Sequence, residues 1–198
     1  MNSELARNIL SILIAKSYDI DLRILHVRLS RETPSKEVIR QLEHTLKDFE
    51  VLWAATRPGF TLSRFHVLCV FYHTLKAFAL GKNISNKFNI EFLLRLTCED
   101  QITNALRVAG LDVKVREFCL YVLSTCKEAL ERSLLFLHFP PFEDIKQVSD
   151  LEQYESRHLL ELLKVDLEEL SATDYKSSIL DSKLKSALTR MSLLNVKR

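Results

Sequence analysis

Hydrophobic and polar residues alternate along the chain in patterns that change period several times, and each change predicts a new element. From Ser63 to Leu80 the residues Phe65, Leu68, Val70, Phe71, Leu75, Phe78 and Ala79 recur without Gly or Pro until Gly81. That spacing predicts a helix, apolar round most of its circumference and stopped by a glycine. From Phe88 to Leu96 the order is Phe88, Ile90, Phe92, Leu94 and Leu96 on one side and Asn89, Glu91, Leu93 and Arg95 on the other. A period of two over that length predicts a strand. Thr97, with Asp100 three residues on, reads as the cap of a short helix carrying Ile102, Ala105, Leu106 and Ala109 on one face and ending at Gly110. The nearly unbroken apolar run from Phe118 to Leu123 predicts a strand covered on both faces.

The flanks extend the pattern. Ser3 can cap a helix through about Lys16, and Leu22–Leu29 alternates as a strand with His26 as a half-buried, partnered imidazole. Thr33-Pro34-Ser35 opens a helix to Phe49, Val51–Ala55 reads as a short buried strand, and Arg57-Pro58-Gly59 as a turn. Helices follow at Cys126–Leu137, Glu152–Leu163 and Ser178–Leu194, and Pro140-Pro141 makes the segment 139–150 the expected loop. Strands interleaved with helices, then a helical C-terminal part, predict an α+β (mixed α/β) fold with a small central sheet. One domain over residues 1–198 is expected, with residues 1–17 as a helical extension.

Charge changes this picture where composition does not. The net charge is only +2, yet no acid lies between Glu50 and Glu91, while Arg57, Arg64, Lys76, Lys82 and Lys87 do. From Glu143 to Asp174 ten acids face Lys146, Arg157 and Lys164, and basic residues return from Lys176 to Arg198. Such segregation suits one face for a polyanion and another for a different partner, and equally suits solvated helix faces. The four cysteines form no CxxC pair and read as reduced thiols. With no membrane-length apolar run and no signal-type cleavage pattern, a soluble intracellular protein is expected.

Catalytic signatures are missing. Gly59, Gly81 and Gly110 each stand at an element boundary, so no glycine-rich loop can cradle a phosphate, and HExxH, GxSxG and paired Cys/His spacings are absent. Glu91, expected on the solvent side of its strand, could pair with Arg95 or Lys87 but has little around it to make it a general base. The reading is of a chain that is not an enzyme and takes neither cofactor nor metal. A small enzyme with a distributed site drawing on Glu91, His66 or Cys98 is a distant rival.

The run Gly81-Lys82-Asn83-Ile84-Ser85, then Glu91-Phe92-Leu93-Leu94-Arg95-Leu96, then Gln101-Ile102 with Ala105-Leu106 and Gly110, resembles the Cgi/TPRKB family. Met191-Ser192-Leu193-Leu194, preceded by Arg190, resembles that family's C-terminal ending, so the likeness covers roughly residues 20 to 196. The helix before Tyr18 is not a family feature, and Thr97-Cys98-Glu99 replaces its usual Ser-rich turn. The resemblance implies a non-catalytic subunit of the KEOPS (EKC) complex, which makes N6-threonylcarbamoyladenosine in tRNA. Such a subunit binds the atypical kinase-like ATPase (PRPK type), contacts the threonylcarbamoyl transferase indirectly, and holds tRNA by its 3′ CCA end. Its place would be the cytoplasm, and also the nucleus if the source is eukaryotic.

Within that frame the RNA-binding candidates are Arg64, Lys76, Lys82, Asn83, Ser85 and Lys87, because cations neutralise phosphates and amide or hydroxyl groups read base edges. They equally fit a capped, dipole-matched helix end. Partner-binding candidates are Ile102, Leu106, Leu180, Leu184, Leu188 and Met191, apolar residues on two helices. A pure protein scaffold without RNA affinity is the nearer rival.

Overall fold

The computed structural model describes residues 3–15, 20–137, 142–148 and 179–196, together with Leu163, Glu168 and Ser171. In chain order the elements are α1 (Ser3–Ala15), β1 (Asp21–Pro34), α2 (Ser35–Leu46), β2 (Leu52–Thr56), α3 (Arg64–Ala79) and α4 (Phe88–Thr97). They continue with α5 (Ile102–Ala109), β3 (Lys114–Ser124), α6 (Lys127–Phe136), β4 (Phe142–Gln147) and α7 (Ile179–Val196). The strands form one antiparallel sheet in the order β2-β3-β1-β4, so the fold is α+β as the alternation of periods predicts.

The sheet has helices on both faces. Leu22, Ile24, Ala54, Cys119, Tyr121 and Leu123 point to one side, where Val67, Val70 and Phe71 of α3, Phe92 and Leu94 of α4, and Ala187 and Met191 of α7 close over them. Leu25, Val27, Leu29, Leu120 and Val122 point to the other, under Val38 and Leu42 of α2 and Leu130 of α6. β3 is therefore buried on both faces, which is why its sequence is a continuous apolar run. α1 lies outside this sandwich. Ala6 buries itself against Leu75, Phe78 and Ala79, and the Arg7 guanidinium donates to the Ala79 carbonyl at 3.2 Å, satisfying the end of α3.

Three expectations are corrected. Phe88–Thr97 is a helix and not a strand. Residues 91 to 97 are all buried, so apolar side chains occupy every spacing and the period of two carries no information there. The i,i+4 pair Glu91–Arg95 is the helical signal that the alternation masks. Thr97 does not cap α5; it ends α4, donating its hydroxyl to the Leu93 carbonyl, and Gln101 is the N-cap of α5. The expected loop 139–150 contains β4, which pairs with Leu25–Leu29 along the edge that β1 would otherwise leave open. The expected helix Glu152–Leu163 falls outside the described residues except for Leu163, which is buried.

Candidate nucleic-acid and partner interface

The turn between α3 and α4 is where the motif residues gather. α3 ends on Gly81 at φ 65°, and the Gly81 and Lys82 amides donate back to the Phe78 and Ala77 carbonyls at 3.2 and 2.8 Å. That is a Schellman cap, and a side chain at residue 81 would strain it. The chain then folds over Glu91, which is fully buried. One Glu91 oxygen, Oε2, accepts from the Ile84 and Ser85 amides at 2.8 and 3.0 Å. The other, Oε1, accepts from Arg95 Nε at 3.0 Å and Arg95 Nη2 at 2.5 Å. Glu91 is thus not on a solvent face. It is an internal anion that holds the turn onto α4, and it occupies the two amides that an RNA phosphate could otherwise have used.

The RNA candidates divide around this clamp. Ser85 is buried and its hydroxyl accepts from the Lys87 amide at 3.2 Å, while the Asn83 side-chain amide donates to the Ser85 carbonyl at 3.2 Å. Both build the turn. Lys82 projects from it into solvent, and Lys87 projects too, with Nζ 3.8 Å from a Glu43 oxygen. Such an exposed pair is worth about 0 to 1 kcal/mol and yields readily to a phosphate. Lys76 sits one turn back on α3, 5.9 Å from the centre of the Tyr72 ring. Arg64 is apart from all of these, about 18 Å from Lys76 at the helical rise, and its guanidinium donates to the Leu22 carbonyl. The structure brings together Lys76, Lys82, Asn83, Ser85 and Lys87 and leaves Arg64 at the far end of α3.

Beside Lys87 a groove of about 320 Å³ opens along β2, lined by Val51, Leu52, Trp53, Asn86, Phe88 and Asn89 with Glu43 at its rim. Asn86, Asn89 and Trp53 are functional candidates that reading the sequence missed. Asn86 and Asn89 flank the basic turn, which is the signal that could have found them.

Among the partner candidates, Met191 is buried in the core and presents no surface. Ile102, Leu184 and Leu188 are half-buried, Ile102 and Leu188 against the main core, and Leu106 is 41% exposed. The side chain of Leu180 lies outside the described residues. Of the distributed catalytic candidates, Glu91 is tied to Arg95 and to the Ile84 and Ser85 amides, and burial pushes the Cys98 thiol up to about 12. Among the described residues no group of His, Cys, Asp and Glu could hold a metal ion, and no helix is long and apolar enough to cross a membrane.

His66 is enclosed in α3 with neither ring nitrogen hydrogen-bonded, and burial pushes its pKa down to about 4. His73, one face-repeat on, is also lowered to about 4, by burial first and then by the Lys76 and Arg95 charges. Both imidazoles are neutral in the folded chain, whereas unfolded histidines take up a proton near pH 6.5. The unfolded state therefore binds more protons between pH 4 and 6.5, and stability falls as pH drops through that window. For His66 alone the full loss is about 3 kcal/mol. Urea midpoints at pH 7 and pH 4.5 should lie closer together in His66→Phe than in the wild type.

No protein-family model matches the chain, and no curated protein sequence matches it.

Proposed function

We propose that the chain is a non-catalytic accessory subunit of a KEOPS-type complex, binding the kinase-like ATPase subunit and recruiting tRNA through its 3′ CCA end. It acts in the cytoplasm, and also in the nucleus if the source is eukaryotic. The observation that carries this reading is local. The residues that resemble the Cgi/TPRKB family build one another, Glu91 of the second motif gripping the backbone of Ile84 and Ser85 in the first while Arg95 holds its other carboxylate oxygen. What the clamp presents is a turn bearing Lys82 and Lys87 within a span free of acids, next to a groove with two asparagines and a tryptophan. Cations would hold the backbone of an unpaired RNA end, and amides and an aromatic ring would meet its bases.

A pure scaffold remains the second reading, favoured by the engagement of Arg64, Asn83 and Ser85 in backbone hydrogen bonds. The two separate on tRNA binding by the purified chain, measured with intact tRNA and tRNA lacking its CCA end at two salt concentrations. Recruitment through the CCA end predicts at least tenfold weaker binding of the truncated tRNA. Lys82→Glu and Lys87→Glu should each weaken binding and reduce the salt slope by about 0.7. Equal affinities for the two tRNAs would rule out recruitment through the CCA end, and no binding at low salt would leave the scaffold reading.

A further inference from the structure

α3 carries a row of side chains that the core does not use. Phe65, Cys69, Tyr72, Lys76 and Leu80 follow at i, i+4, i+7, i+11 and i+15, which places them on one line along the helix, about 22 Å long at the helical rise. The buried residues Val67, Val70, Phe71, Thr74 and Phe78 occupy the opposite side. The ends of the row are open, with Phe65 57% and Leu80 60% exposed, while Cys69, Tyr72 and Lys76 between them are half-buried. Ile84, in the turn that follows α3, is a further exposed apolar residue. Ala6 of α1 packs on the neighbouring flank, against Leu75, Phe78 and Ala79.

Single exposed apolar side chains need no explanation, but an aligned row spanning four turns does. From this row, resting on the protein-partner half of the proposed function, we infer that α3 docks an amphipathic helix of the kinase-like partner, apolar at its centre and bordered by acidic residues. The spacing suits a helix laid along α3, with anchors at i, i+7 and i+14 or i+15 meeting Phe65, Tyr72 and Leu80. The acidic border follows from charge. Residues 51–90 hold no acid, Lys76 stands within the row and Lys82 just past its end. An RNA strand fits the row less well, since it offers one cation along 22 Å and the Arg64 guanidinium at its other end is turned to the Leu22 carbonyl.

The test is direct binding of the purified kinase-like subunit to the full-length chain, comparing wild type with Phe65→Ser, Leu80→Ser and Lys76→Glu. Leu135→Ser on α6, where the side chain is exposed, serves as a control on a different helix. Each row variant should weaken binding about tenfold or more. Lys76→Glu should also flatten its salt dependence, Leu135→Ser should bind as wild type, and all should melt as wild type does. Row variants that keep wild-type affinity, or a Leu135→Ser that alone loses it, would overturn the docking face while leaving the partnership intact. Row variants that lose tRNA but keep the kinase-like subunit would assign the row to RNA instead and overturn it equally. A wild-type chain that does not bind the kinase-like subunit would sink the partnership itself, a result visible before any variant is made.

Discussion

Replacing Glu91 with alanine is expected to lower the unfolding free energy by about 3 to 5 kcal/mol, because it takes the paired carboxylate from a buried guanidinium. Arg95 is as deeply buried as Glu91 and has no route to bulk solvent without opening α4. The same change removes the acceptor of the Ile84 and Ser85 amides, so the damage extends to the turn. Two measurements check it. Chemical denaturation gives the global loss, and hydrogen exchange should show the Ile84 and Ser85 amides losing protection. A double variant, Glu91→Met with Arg95→Met, should recover much of the stability, since a buried ion pair is commonly no better than well-packed apolar side chains. Full stability in Glu91→Ala would mean that the clamp contributes nothing.

The second large effect is expected at Gly110. Its φ of −65° is open to any residue, so the constraint is space. A Cβ there would lie 2.4 Å from the Leu106 carbonyl oxygen and 3.0 Å from the Leu106 Cα, both backbone atoms at the end of α5. The Gly110 amide donates to that same carbonyl at 2.9 Å, and the adjacent Ala109 carbonyl accepts from the Arg57 amide at 3.1 Å, so the corner is tied on both sides. Arg57 adds to this by donating its side chain to the Arg107 and Val108 carbonyls. Gly110→Ala should cost about 3 kcal/mol, as overpacking at fixed backbone does. Gly81→Ala is the contrast: its Cβ meets nothing within 4 Å, and the cost of a left-handed alanine is about 1 kcal/mol. Similar midpoints for the two alanine variants would show that the α5 corner yields.

How far the sequence is legible depends on burial. α3 and β3 are readable because an apolar circumference with a terminal glycine and an unbroken apolar run each have few alternatives. α4 is illegible for the opposite reason. Enclosed between α3, β2 and α7, it carries apolar residues on every side with Glu91 and Arg95 buried among them, and its end is marked by Cys98 at φ 54° instead of by a glycine. β4 is hidden because an edge strand needs one apolar face only, so that Phe142 and Ile145 among Glu143, Asp144 and Lys146 look like loop. Of the candidate site, the position of the basic turn follows from residue order, but the roles within it do not. Whether Ser85 or Lys82 faces solvent is decided by a carboxylate six residues past Ser85, and no local pattern announces that.

The pairing order of the sheet also bears on how the chain emerges during synthesis. Among the described residues, β1 pairs with β3 and β4, and β2 with β3. Val27 meets Phe118 across roughly 90 residues of intervening chain, a separation that slows closure. On the ribosome, β1 and β2 would leave the exit tunnel early with no strand to pair with until β3 follows them. A nascent chain halted before Lys114 would hold helices and two unpaired, apolar strands, the form in which this protein would most need a chaperone.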